Sequence, residues 1–214
     1  MHIPDGFIAP RMYLPAFLAA GALWLLALRR SRRWLNQDVI PVLGVVTAVS
    51  FVLMMVAIPL PGGTTAHATG VALLAVCFGV WTSFLSVSLV LTLQALVLGV
   101  GGVTSLPINA LAVGLVGSVV ATVVFTSLRR VNLTGALFAA GWLSVMVSAL
   151  VVAVALGLQP AIAHNADGTP LFFPFGLRIT LPAVLLPHAV VGVGEGVLTV
   201  FAYRFVQRVR GEQP

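Results

Sequence analysis

The chain has 214 residues, of which 60% are hydrophobic and only 7% charged, with a mean hydropathy of +1.12 and a net charge of +6. No water-soluble domain of this length can hide so much apolar surface. The long, continuous apolar runs also exclude the short alternating strands of a membrane β-barrel. What remains is an all-α integral membrane protein, because in hydrocarbon each helix satisfies its own backbone N–H and C=O groups. All eleven basic residues are Arg. They sit in short clusters just past apolar runs, as topology signals do, and not in the stripe expected of a nucleic-acid binder.

In chain order, the polar heptapeptide MHIPDGF (1–7) comes first, in a tail running to residue 11. The first ten residues lack an apolar h-region, and the first apolar run is followed, not preceded, by its strong positive cluster, so Met1 is read as the mature N-terminus and not as part of a cleavable signal. Apolar runs follow at Met12–Leu28, Val39–Ile58, Gly70–Leu98, Ile108–Leu128, Thr134–Leu156 and Leu181–Phe205. Pro41 falls in the first turn of its run, where proline is tolerated. The Gly70–Leu98 run is too long for one span and short for two.

Arginine placement resolves it. As one span, with the N-terminus outside, the run puts Arg29, Arg30, Arg32, Arg33 and Arg178 in the cytoplasm and the other six arginines outside. If the chain instead turns back near Gly79–Thr82, every cluster becomes cytoplasmic and only Arg11 and Arg178 stay outside. The positive-inside rule selects the second arrangement. The expectation is therefore a single membrane domain in the cell membrane: seven transmembrane helices between residues 12 and 205, N-terminus outside, and residues 206–214 as a cytoplasmic tail. The helices beside Gly79 must be short, which places the Thr64–Thr69 segment below the membrane surface, where non-helical backbone survives only when enclosed by protein. PLPGGTTAH (59–67), GVGGVTSLP (99–107) and QPAIAHNADGTPLFFPFGLR (159–178) are the outer loops, the last with turn chemistry at Asn165–Gly168.

A chain whose second residue is His carries a distinctive donor set. The α-amine of Met1, the deprotonated main-chain nitrogen of His2 and Nδ1 of His2 close fused five- and six-membered chelate rings around one metal, leaving a fourth in-plane position open. Such nitrogen sites suit Ni(II), Cu(II) or Co(II), and an α-amine with a pKa of about 8 brings this chemistry to neutral pH. Pro4-Asp5-Gly6 is a turn signal that folds the tail back, and His67, on the same side, is the candidate fourth nitrogen. His188 and Glu195, seven residues apart, share a helix face about two turns from each other. They are read as supports that hold the tail or orient His67, or, for Glu195 especially, as glue between helices. Gly192, Gly194 and Gly196 allow close approach on that helix. Asn109 and Gln94 are interior hydrogen-bonding candidates, His164 is a solvated loop residue and Cys77 is packing filler. No HExxH, partnered GxSxG or phosphate-binding GxxxxGK[ST] occurs, so the chain reads as no enzyme and as no ATPase of its own.

MHIPDGF, PGGTTAH, GGVTSLPIN, GWLSV and HAVVGVGEG, in that order over nearly the whole chain, resemble the cobalt/nickel substrate-binding membrane (S) component of energy-coupling factor transporters, the CbiM/NikM family. The resemblance implies a seven-helix component whose tail enters the bundle and binds metal through Met1, His2 and His67; beside it, Asp5, Asn109, His188 and Glu195 are read from the residues as candidate supports of that site. It implies no catalytic cofactor, Ni(II) or Co(II) as the transported ion, and work with a transmembrane coupling (T) protein, two cytoplasmic ATPase subunits and a small accessory membrane subunit. Two other readings stand beside it: a similar permease for an organic micronutrient with structural histidines, and an intramembrane hydrolase using His188 and Glu195.

Overall fold

The computed structural model describes residues 2–32, 35–59 and 65–209. The Met1 amine, Arg33, Arg210, residues 60–64 of the PLPGGTTAH loop and the end of the tail expected to be cytoplasmic lie outside the described residues. Helix α1 (Pro10–Ser31) follows the tail, with proline in its first turn and Arg29 and Arg30 in its last. α2 (Val39–Met55) leads into a short antiparallel hairpin, β1 (Ile58–Pro59) with β2 (Thr65–Ala66), in which Ile58 pairs Ala66 and Pro59 pairs Thr65.

The long central run does divide at Gly79. α3 (Val71–Phe78) stops there and α4 (Val80–Val97) starts there. Gly79 has φ +81° and ψ 166°, a conformation open only to glycine. The two helices pack on each other, and the Ser83 hydroxyl donates to the Val71 carbonyl. At eight residues, α3 is about 12 Å long, well short of the bilayer's hydrocarbon core of about 30 Å.

α5 (Leu106–Asn109), a π-helical stretch (Ala110–Val116) and α6 (Gly117–Leu128) form one rod, Leu106–Leu128. α7 (Leu133–Gly157) is capped by Asn132, whose side chain accepts from the Gly135 N–H at 2.9 Å. α8 (Gln159–Ile162) is a single turn, and α9 (Leu177–Val209) is the longest helix at 33 residues, about 50 Å. Five helices are long and apolar enough to cross a membrane: Pro10–Ser31, Val80–Val97, Leu106–Leu128, Leu133–Ile162 and Leu177–Val209, with Val39–Met55 a shorter apolar helix.

The bundle is apolar outside and mixed within. Leu14, Leu18 and Leu25 of α1 and Val190, Phe201 and Phe205 of α9 are exposed, while Ser50, Gln94, Asn109, Ser144, His188 and Glu195 are buried. This is the distribution of a multi-pass membrane protein, whose helices associate through small residues and interhelical hydrogen bonds. Gln94 shows it as expected, donating from α4 to the Phe51 carbonyl of α2. α7 and α9 make the most extensive contact. At its closest point a Cβ on Gly141 would lie 2.8 Å from Gly196 Cα and 2.9 Å from the Glu195 carbonyl oxygen. Neither backbone atom can swing aside. Gly141→Ala is therefore expected to separate α7 from α9 and lower the thermal midpoint of the detergent-purified protein by several degrees. Gly194→Ala, whose Cβ meets nothing within 4 Å, is expected to leave the midpoint in place.

Candidate metal-binding site

The tail enters the bundle. Asp5-Gly6 turns with Gly6 at φ +82°, and His2, Ile3, Ile8 and Ala9 are buried. Extended backbone at such depth needs partners, and side chains supply them. Asn109 grips Ile3 at both ends: its Oδ1 accepts from the Ile3 N–H at 3.0 Å, and its Nδ2 donates to the Ile3 carbonyl at 3.1 Å. The Ser105 hydroxyl donates to the same carbonyl. Further along, Gln159 Oε1 accepts from the Ala9 N–H at 2.8 Å.

Asp5 fastens the turn to the second glycine-rich loop. Its carboxylate accepts from the Val103 N–H at 3.0 Å, the Thr104 N–H at 2.8 Å and the Thr104 hydroxyl. Partial burial pushes the carboxyl up, but the Thr104 and Val103 bonds outweigh it and hold Asp5 below the ordinary carboxylate value. The loop lies so close that a Cβ on Gly102 would stand 2.4 Å from the Asp5 nitrogen, and one on Gly101 would stand 3.3 Å from His2 Cβ.

His67 arrives from the opposite wall. It follows β2 in the loop that ends at Gly70, where φ is +68°. Glu195 of α9 fixes that loop: its carboxylate accepts from the Thr69 N–H at 2.6 Å, the Gly70 N–H at 2.8 Å and the Thr69 hydroxyl at 3.1 Å. The Ser50 hydroxyl of α2 donates to the Thr69 carbonyl. The two imidazoles meet with ring centroids 4.4 Å apart, tilted by 44°.

Both rings are almost fully buried, with 3% of His2 and 1% of His67 exposed. His2 Nδ1, His2 Nε2 and His67 Nε2 have no hydrogen-bond partner. Burial pushes the His2 imidazole down to about 3, and it lowers His67 well below the ordinary histidine value as well. Three ring nitrogens thus face an enclosed interior with no protein hydrogen-bond partner among the described residues. That is a poor arrangement for packing alone and a good one for a late transition ion. Among the described residues no cluster of three or more His, Cys, Asp or Glu side chains closes on one point. The side chains gathered here supply two imidazoles.

The expected supports divide differently from their sequence reading. Asn109 and Asp5 hold the tail. Glu195 touches neither the tail nor the His67 ring; it binds the backbone two and three residues after His67, so it is glue between α9 and a loop. His188 is buried with Nδ1 2.7 Å from the Val184 carbonyl, and it makes no hydrogen bond to tail or to His67. His164 is exposed in the loop between α8 and α9, as expected of a solvated loop residue. Sequence reasoning missed Ser105, Thr104 and Gln159, all of which bind the tail. Gln159, a buried amide just after a long apolar helix, was the one with a signal to follow.

Comparison with known proteins shows the family to which the chain belongs. The family described as cobalt uptake substrate-specific transmembrane region matches residues 2–213. The chain is 37% identical, over 99% of its length, to the fused nickel transport protein NikMN of Rhodobacter capsulatus, and it spans 63% of that relative's length. It is 29% identical to the cobalt transport protein CbiM of Clostridium tetani, covering 100% of this chain and 87% of that one. Two crystal structures described as transition metal transporters superpose with TM-scores of 0.93 and 0.94 at 32% and 33% identity. The first, of a truncated transporter, covers 97% of this chain and 99% of its own; the second covers 100% and 95%.

The clamp on the tail predicts its own failure. Asn109→Ala leaves the buried Ile3 N–H without a partner, at a cost of about 1–3 kcal/mol. Hydrogen exchange at that amide is expected to speed up roughly tenfold or more, while amides of α7 keep their protection.

Proposed function

Since the chain belongs to the cobalt uptake substrate-specific transmembrane family, we propose that it is the metal-capturing membrane component of an energy-coupling factor transporter, taking up Ni(II) or Co(II). The observation that carries the proposal is the burial of His2 against His67 with their ring nitrogens unpartnered. In this reading Met1 supplies its α-amine, His2 its main-chain nitrogen and Nδ1, and His67 one imidazole nitrogen, four donors in a plane of the kind Ni(II) favours.

α1, α2, α3, α4, the Leu106–Leu128 rod, α7 and α9 are then the seven membrane segments, with the N-terminus outside and the C-terminus cytoplasmic. Two features support that orientation. Applied to the sequence, this arrangement puts nine of the eleven arginines on one side, and a cleft of about 900 Å³ is lined by both Arg29 and Arg30 of α1 and the residues of the Gly79 break. Metal enters from the tail end of the bundle and is enclosed as the tail and the 99–107 loop close over it. The chain has no nucleotide-binding motif, so energy for inward release comes from elsewhere: a coupling protein in the membrane, two cytoplasmic ATPase subunits and a small accessory membrane subunit.

The test is elemental analysis of purified protein with an unblocked N-terminus. One equivalent of Ni(II) or Co(II) is expected, lost in His2→Ala, in His67→Ala and when one residue is added before Met1. Retention of full metal in all three would refute the reading. An organic-micronutrient permease would be indifferent to every one of these changes.

A further inference from the structure

α1 begins beside the tail and ends at a cleft the metal site does not use. α1 and α2 each pack on α4 but barely on each other. Beside the last turn of α1 and the Gly79 break this leaves a cavity of about 900 Å³, lined among others by Leu26, Arg29, Arg30, Leu35, Phe78 and Trp81. At 22 residues α1 is about 33 Å long, against a hydrocarbon core of about 30 Å. Its last turn, with both arginines, therefore comes out at the level of the lipid headgroups.

The cleft is positive on its polar side. The Arg30 guanidinium carbon lies over the Trp81 ring, 5.1 Å from the centroid. Stacking engages the face of a guanidinium and leaves its in-plane N–H groups free, and that edge is the one that grips a phosphate with two hydrogen bonds. Among the described residues neither Arg29 nor Arg30 has a carboxylate partner. Asp38, the acid before α2, is exposed and lines no part of the cleft. α3 ends where α4 begins, so the opposite partial charges of two helix ends offset each other there and the arginines set the sign. The floor is fixed: the buried Thr82 hydroxyl donates to the buried Ser31 hydroxyl oxygen at 3.2 Å, tying the end of α1 to the start of α4. Leu26, Leu35, Phe78 and the Trp81 ring make the remaining wall apolar.

We infer that this cleft holds one anionic phospholipid, its phosphate on Arg29 and Arg30 and its acyl chains along Leu26, Leu35 and Phe78. Basic pockets between membrane helices at headgroup depth select such lipids. A free phosphate shares the headgroup chemistry but has no use for the apolar wall. An apolar helix of a partner protein fits the wall but leaves two guanidiniums without an anion. The inference stands on the membrane setting of the bundle and is independent of the metal.

The experiment titrates the full chain, in neutral detergent micelles, with phosphatidylglycerol or phosphatidylcholine brominated on the chains. The readout is the part of the fluorescence quenching that Trp81→Phe removes. Saturable quenching is expected at a roughly tenfold lower fraction of phosphatidylglycerol than of phosphatidylcholine. Arg29→Gln/Arg30→Gln should abolish that preference, and Arg129→Gln/Arg130→Gln, with the same change of charge, should keep it. If the first double variant folds poorly, Arg30→Lys decides: it keeps the charge without the fork, and a several-fold weaker phosphatidylglycerol signal is expected. No preference between the lipids, or an unchanged signal in the arginine variant, overturns the inference. So does displacement by inorganic phosphate at an ionic strength where chloride has no effect, which would give the cleft to a free anion. Loss of a co-purifying membrane protein in the arginine variant, with phosphatidylglycerol binding intact, would give it to a protein partner and also overturns it. Metal content is expected to be unchanged in every arginine variant, so failure here and failure of the uptake reading are distinguishable.

Discussion

The whole arrangement depends on satisfying extended backbone inside an apolar bundle. A peptide unit left unpaired there costs several kcal/mol, so a buried tail survives only where side chains replace the water its N–H and C=O groups have lost. Asn109 does this for both polar groups of Ile3, and Gln159 does it for the N–H of Ala9. Between these two points the tail is suspended across the bundle, with Asp5 tied to the loop at 103–104 where the chain bulges outward. Every one of these contacts except the side chain of Asp5 grips main chain. None takes up the imidazole of His2, which is why that ring reaches the interior with both nitrogens free.

The opposite wall is built on the same principle with different residues. Glu195 accepts three hydrogen bonds from Thr69 and Gly70, and Ser50 reaches the Thr69 carbonyl. This lets non-helical chain run deep enough to carry His67 to the tail. The short α3 is the geometric consequence. If its first residue, Val71, starts well below the surface, the helix has little thickness left to cross before Gly79 turns it back. One loop inside the bundle therefore explains both the eight-residue helix and the glycine that ends it.

Much of this was readable from the residues. Apolar runs gave the helices to within a few positions because hydrocarbon forces continuous helical hydrogen bonding. The break at Gly79 followed from arginine placement, a signal independent of local propensity. The meeting of His2 with His67 was legible because an N-terminal histidine has one evident chemical use. The roles of the polar residues were not legible. Glu195 and His188 share a face and a spacing, yet one binds backbone and the other binds nothing through Nε2; only the position of the 67–70 loop separates them. Gln159 and Ser105 could not be assigned to the tail, since which side chain reaches which carbonyl depends on helix rotation, which periodicity fixes poorly in a bundle polar within and apolar around. The π-helical stretch after Asn109 was invisible too, although it sits directly beyond the residue that holds Ile3.

Placing a doubly charged ion at such depth raises the question of where its compensating charge lies. Asp5 and Glu195 are the obvious anions, and both are already committed, each accepting three hydrogen bonds from a loop. Their charge is spent on shape. In the proposed site the compensation comes instead from the main-chain nitrogen of His2, which becomes anionic only when metal displaces its proton. An empty site then holds no buried anion and a filled one holds a reduced net charge, so neither state carries the full desolvation penalty of an isolated ion. The same logic favours imidazoles kept neutral by burial over carboxylates at this depth. It also makes capture sensitive to proton release: a change that strengthens the grip on Ile3 without moving His2 raises affinity, because it fixes the nitrogen in place before the proton leaves.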